Sequence, residues 1–203
     1  MTRLRVAGLA LAGGRSSRMG KDKAAQMLAG RALLAWTLAA LDGVCETVAV
    51  SAAAGGGAEA LGRHLGRRIV IDDLEHPRGP LAGVAAGLAW ATAEGFELLF
   101  TLPCDMPLVK ARHLSMLGAA LMDANAAFAA VPGLPQPLCA LWRVDAAASL
   151  GALLNDGRHP PVRVFLAEIG ARAVPFPDPR PFRNLNTGEE LAALQAELAR
   201  VRP

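Results

Sequence analysis

The order of residues 6–23, VAGLALAGGRSSRMGKDK, limits what this chain can fold into more than any other stretch, because an apolar run passes directly into a glycine turn and then a cationic loop. Val6, Leu9 and Leu11, with small Ala and Gly between them, suit a strand covered on both faces of a parallel sheet. Gly13 and Gly14 stop it. Lacking a Cβ, they accept positive φ and let backbone N–H groups turn together toward an anion. Arg15, Arg18, Lys21 and Lys23 follow, enough cation for forked and point contacts to a triphosphate. Five residues separate Gly14 from Gly20, and Asp22 follows Lys21. A Walker A loop needs a spacing of four and then Ser or Thr, so that motif is excluded. Nor does the turn read GxGxxG, which leaves dinucleotide binding of the dehydrogenase type with little support. Taken alone, the stretch also fits a tight turn followed by a solvated basic loop.

Downstream, apolar periodicity predicts an alternation of helix and strand. Leu33, Leu34, Leu38 and Leu41, after a break at Gly30, mark a first crossover helix in which Trp36 packs. Strands are predicted over 47–50 and 68–71, separated by a flexible loop at 51–57 and a short helix at 58–65. A helix over 79–93 opens with Pro80, which suits a first turn needing no N–H. The run LLFTL at 98–102 is the most convincing buried strand, halted by Pro103. A helix over 113–123, a strand over 127–131, a proline-rich turn through Pro137 and a strand over 138–143 follow. Helices over 146–154 and 162–169 flank a break at 157–161, and 172–174 reads as a short edge strand. Residues 175–181 hold four prolines in seven and read as an extended connector. Thr187 and Glu190 form a capping box for a final helix over 189–201. This alternation predicts an α/β fold in one domain over 1–203, with right-handed crossovers and ligands gathered at the carboxyl ends of the strands. Gly13, Ser51, Asp72 and Asp105 all lie at such ends.

A hydrophobic content of 53%, largely alanine, supports a substantial core. No uncharged run reaches the length of a membrane span, since Glu94 ends the apolar stretch from 79 to 93, and no leader pattern precedes the first strand. A cytoplasmic protein with no membrane partner is expected. Cys45, Cys104 and Cys139 are odd in number and widely spaced, which fits a reducing compartment, and the four histidines have no ligand spacing. A net charge of +3, concentrated in the first loop and in scattered arginines, suits an anionic small molecule better than nucleic acid.

LAGGRSSRMGKDKA resembles the signature LAGGxSxRMGxDK of the molybdenum cofactor guanylyltransferases, a branch of the nucleotidyltransferases that activate sugars and cofactors. GPLAG at 79–83, PCDMP at 103–107 and NLNTGEEL at 184–191 resemble the same family, in its order and across nearly the whole chain. The resemblance implies a Rossmann-like three-layer sandwich with a mainly parallel central sheet, of the nucleotide-diphospho-sugar transferase type. It implies transfer of GMP from GTP to molybdopterin carrying molybdenum, with Mg2+ required, and leaves room for transient contact with molybdoenzymes or cofactor-synthesis proteins.

Carried over by position, Leu11, Ala12 and Gly13 line the nucleotide through their backbone, with Gly14 beside them, and Lys23 reaches the phosphates. Arg18 and Lys21 join them on physical grounds, as cations of the same loop, although solvated loop charge describes Lys21 equally well. Asp105, the aspartate of PCD, corresponds to the residue that holds the metal in the family; from the sequence alone a turn aspartate capping the next helix fits as well. Cys104 reads as a small buried residue, not a nucleophile. Asp72 matches the family's nucleotide-site aspartate, with adjacent Asp73 leaving the register open. Ser51-Ala52-Ala53 departs from the usual Asn-Ala-Asn, and alanine lacks the amide that contacts the base, so the choice of guanine is the least secure inference. Asn184 and Asn186 flank Leu185 so that both amides share one side of an extended segment, on the acceptor side of the cleft by resemblance or as turn and cap residues without it. Arg158 and Arg163 are further candidates for a polyanionic acceptor. The rival readings are a related cytidylyl- or sugar-phosphate nucleotidyltransferase and a non-catalytic GTP-binding module that delivers cofactor.

Overall fold

The computed structural model describes residues 4–13, 22–72 and 79–201. The expectations for Gly14, Arg15, Arg18, Lys21 and Asp73 lie outside these residues. In chain order the described elements are β1 (Val6–Leu11), β2 (Met27–Leu28), β3 (Arg31–Ala32), α1 (Leu33–Asp42), β4 (Thr47–Ala52), α2 (Gly57–His64), β5 (Arg68–Ile71) and α3 (Pro80–Ala93). They continue with β6 (Leu98–Pro103), α4 (Ala111–Leu121), β7 (Ala126–Val131), β8 (Leu134–Arg143), α5 (Ala146–Asn155), α6 (Val162–Glu168), β9 (Arg172–Pro175) and α7 (Gly188–Val201).

Seven strands form one sheet in the order β5-β4-β1-β6-β8-β7-β9. Only β8 runs against its neighbours, pairing antiparallel with β6 and β7, while the other pairings are parallel. The mainly parallel sheet read from the sequence is therefore the one observed. Side chains on its strands alternate between two apolar layers, as the two-residue period of a strand requires. Ala10, Val48, Val50, Leu98, Phe100 and Leu102 face the layer of α1, α2 and α4. Ala7, Leu9, Ala49 and Leu99 face the layer of α3, α5 and α6. The small residues of β1 let both layers approach closely, and burial of this kind contributes about 25 cal/mol per Å2 of apolar area.

A third, smaller cluster matters for the rim. Leu28, Leu33, Leu185 and Leu194 are fully buried together, joining the β2–β3 hairpin, the start of α1, the strip before α7 and α7 itself. Ala29 N also donates to Gln195 Oε1 at 2.6 Å. The C-terminal helix is thereby clamped next to the segment that carries Lys23. Trp36 packs on this cluster and donates Nε1 to the Leu28 carbonyl at 3.0 Å, the structural role expected of it.

Three expectations need correcting, and one hairpin adds to them. Ser51 and Ala52 belong to β4, because their backbone pairs with Val70 and Ile71, so the loop begins only at Ala53. Residues 27–32 form a hairpin that two-residue strands are too short to betray in sequence. The proline-rich turn closes at Gly133, and β8 runs through Pro135 and Pro137. Pro137 falls where the β7–β8 register breaks between Phe128 and Ala129, and both prolines lie in the half of β8 that β6 does not pair, so their missing N–H groups cost little. Finally, the connector at 175–181 is not wholly extended: Pro175 ends β9 and a turn of 3-10 helix covers Arg180–Phe182.

Candidate active site

Three backbone hydrogen bonds assemble the rim at the carboxyl ends of the central strands. Ala12 N donates to the Ser51 carbonyl at 3.0 Å, Cys104 N to the Leu11 carbonyl at 3.1 Å, and Leu185 N to the Asp105 carbonyl at 2.9 Å. The turn after β1, the end of β4, the PCD segment and the 184–186 strip, remote in sequence, thus meet along one edge.

Lys23 begins a short 3-10 helix whose cap is Asp22, with Ala24 N donating to Asp22 Oδ1 at 3.0 Å. The N-terminus of α2 presses on this cap: a Cβ on Gly57 would lie 2.5 Å from Asp22 Oδ2, so any side chain there would have to displace the Asp22 carboxylate. So fixed, the Lys23 ammonium donates to Asp105 Oδ2 and to Asn186 Oδ1, each at 2.9 Å. The Lys23 and Asp105 side chains retain only 17% and 20% exposure, which strengthens their attraction relative to a surface pair. Asp105 Oδ1 is buried and, among the described residues, has no hydrogen-bond partner. A buried carboxylate oxygen left unpaired is costly, and a hard divalent cation is the kind of ligand that removes the cost. No cluster of three metal-ligating side chains forms among the described residues, so Asp105 would serve as the single carboxylate that a magnesium-like ion accepts when water and phosphate supply the rest.

Asn186 is held by its own backbone. Its N–H and that of Thr187 donate to Glu190 Oε2 at 2.5 and 3.0 Å, and Thr187 Oγ1 accepts from Glu190 N at 3.1 Å. The capping box read from the sequence is present, and the N–H of Asn186, with that of Thr187, holds the Glu190 carboxyl below its ordinary value. Asn184 goes elsewhere, donating Nδ2 to Gln136 Oε1 at 3.3 Å, while Gln136 Nε2 reaches the Phe182 carbonyl at 3.3 Å. Gln136 is a polar residue of this rim that sequence reasoning missed, and only its polar character within an apolar strand marked it.

A second carboxylate stands on the other side of Gly13. Ser51, 1% exposed, donates its hydroxyl to Asp72 Oδ1. Burial pushes the Asp72 carboxyl above its ordinary value, against the downward pull of that hydroxyl. A Cβ on Gly13 would lie 2.6 Å from Asp72 Oδ2, and one on Gly83 would lie 3.0 Å from Ser51 Oγ. Gly13 does not adopt positive φ. Its role is close approach, not the left-handed turn expected of it, and the second glycine of GPLAG gives Ser51 room beneath α3.

Cys104 lies next to Asp105, and burial pushes its thiol up to about 12, so it is not a nucleophile at neutral pH. Arg158 pairs with Glu168 at 3.7 Å and is largely exposed, while Arg163 is exposed on α6. Among the described residues, neither is tied to the rim by a hydrogen bond or ion pair.

Residues 8–173 match the MobA-like NTP transferase domain, most of the chain. The chain belongs to this family. The molybdenum cofactor guanylyltransferase of Cereibacter sphaeroides is 41% identical over 199 residues, 96% of this chain and 98% of the relative. That of Acidiphilium cryptum is 43% identical over 188 residues, 92% of each chain. The crystal structure of molybdopterin-guanine dinucleotide biosynthesis protein A from Archaeoglobus fulgidus superposes with a TM-score of 0.76 at 23% identity, over 97% of this chain and all of that one. As a MobA-like protein the chain is a nucleotidyltransferase, and its seven-stranded sheet with helices on both faces is the fold of that superfamily. Among the described residues no helix is long and apolar enough to cross a membrane.

Proposed function

We propose that the chain transfers GMP from GTP to molybdopterin carrying molybdenum, forming the guanine dinucleotide cofactor and releasing pyrophosphate in the cytoplasm. The observation that carries the reading is the pairing of Lys23 with Asp105 at the strand rim, where the second Asp105 oxygen is buried and unpartnered among the described residues. The close kinship with molybdenum cofactor guanylyltransferases supports the choice of substrates.

Nucleotidyl transfer brings an attacking phosphate onto the α-phosphate of a triphosphate, two anions that repel until cations screen them. Positioning and charge neutralisation therefore dominate the barrier. Asp105 would hold Mg2+ through one carboxylate, with water and phosphate oxygens completing its shell, and that ion supplies Lewis-acid screening when bound. Lys23 offers a point charge to the triphosphate. Leu11, Ala12 and Gly13 lay the backbone along the nucleotide, and Asp72, oriented by Ser51, faces the same turn. Asn186 presents its amide beside Lys23, on the side assigned to the acceptor, and Asn184 is anchored to Gln136.

Pyrophosphate release tests the reading directly. With Mg2+ and molybdenum-loaded molybdopterin, GTP should support turnover and CTP should not, with sugar phosphates inactive as acceptors. Preference for CTP would reassign the base. Tight GTP binding without pyrophosphate release would make the chain a delivery module instead.

A further inference from the structure

Among the described residues, Lys23 is the cation that touches Asp105, and it does so through Oδ2, the other oxygen of the carboxylate that would take the metal. Two of its three ammonium donors have partners there, Asp105 Oδ2 and Asn186 Oδ1, so the Asp105 charge is already met by an ammonium before a nucleotide arrives. A divalent ion arriving alone at Asp105 Oδ1 would share one negative charge with an ammonium already bonded to the other oxygen. Like charges so close, on a rim with little solvent to screen them, oppose each other strongly. A triphosphate changes that balance, because it offers the ammonium several oxygens and brings negative charge of its own. Asp22, Gly57 and the Asn186 cap fix the segment that carries the lysine, so the change requires only the side chain to swing.

We infer that Lys23 is an internal counter-ion that compensates the Asp105 charge until a nucleoside triphosphate draws it away, so that metal and nucleotide bind with strong positive coupling. This rests on the reading that Asp105 takes the metal and Lys23 the phosphates. Coupling between two ligands is reciprocal, and values of ~5–150-fold are usual. Removing the lysine should let the metal bind without nucleotide, and removing the carboxylate should let the nucleotide bind without metal.

Both halves are measured on the full chain without turnover. Free Mn2+, followed by electron paramagnetic resonance with no nucleotide present, should bind Lys23→Met at least ~10-fold more tightly than the parent, within the usual range of coupling. The double variant Lys23→Met, Asp105→Ala should lose that gain. In EDTA, Asp105→Ala should bind GTP at least ~5-fold more tightly than the parent, by the same reciprocity. A Lys23→Met variant no tighter for Mn2+, a gain that survives in the double variant, or unchanged GTP affinity of Asp105→Ala in EDTA overturns the inference. A separate arm protects the site reading: if Asp105→Ala turns over GTP normally in Mg2+, that reading fails, whereas if it is inactive and the EDTA result is negative, only the coupling falls.

Discussion

Two carboxylates stand on one rim beside the turn that follows β1, and their surroundings differ. Asp105 is met by an ammonium on one oxygen and leaves the other buried without a partner among the described residues, an arrangement that suits a second cation. Asp72 is met by the neutral hydroxyl of Ser51 and is pushed by burial toward its protonated form. Identity of side chain does not decide function here; the partner and the solvent do. On the proposed function, the first carboxylate would manage phosphate charge and the second would contact a neutral part of the nucleotide.

Several substitutions would break or sharpen that contrast, the largest first. Asp105→Ala should lower kcat by at least ~100-fold, the scale of losing a charge clamp in the transition state, as measured by pyrophosphate release in saturating Mg2+ and GTP. Lys23→Ala should act mainly on KM for GTP, raising it ~10-fold with a smaller fall in kcat, since a point charge on the phosphates contributes to binding in ground and transition states alike. An unchanged KM would take the lysine off the triphosphate.

The cluster under Asn186 supports only the Asp105 side of the rim. Leu194→Ala should cost about 3 kcal/mol in urea denaturation, the usual loss for truncating a buried leucine, and should raise KM through the loosened Asn186–Lys23 contact. The smallest effect concerns Asp72 and pH. The folded value of Asp72 lies above its unfolded one, so its contribution favours the fold at low pH and is lost as pH rises through the folded value. At neutral pH the buried charge is therefore a cost. Asp72→Asn should melt on the order of 2 °C higher than the parent at pH 7 to 8, with the difference vanishing toward pH ~4. A difference that grows on acidification would show that Asp72 has a charged partner in the folded state.

Much of this rim was legible in the sequence because its chemistry is local. The run VAGLAL, the LLFTL strand and the capping box of Thr187 and Glu190 each carry their signal within a few residues, and each forms as read. Ser51 reads as loop in the sequence because four small residues followed by glycines mask a strand whose hydrogen bonds come from β5. The prolines of β8 mislead for a similar reason: periodicity cannot announce that one half of a strand has no neighbour on one side. Gly13 was valued for backbone freedom, yet its need is set by Asp72, which approaches from a distant strand. Asn184 and Asn186 were read as one strip; the division of their amides between Gln136 and Lys23 depends on tertiary contacts that the pattern NxN does not encode.

A crystal structure of the full chain with Mg2+ and a non-hydrolysable GTP analogue tests the central claim most directly. The account predicts the ion on Asp105 Oδ1 and the Lys23 ammonium moved from Asp105 Oδ2 to a phosphate oxygen. A triphosphate bound away from this rim, or an ion held without Asp105, would contradict it.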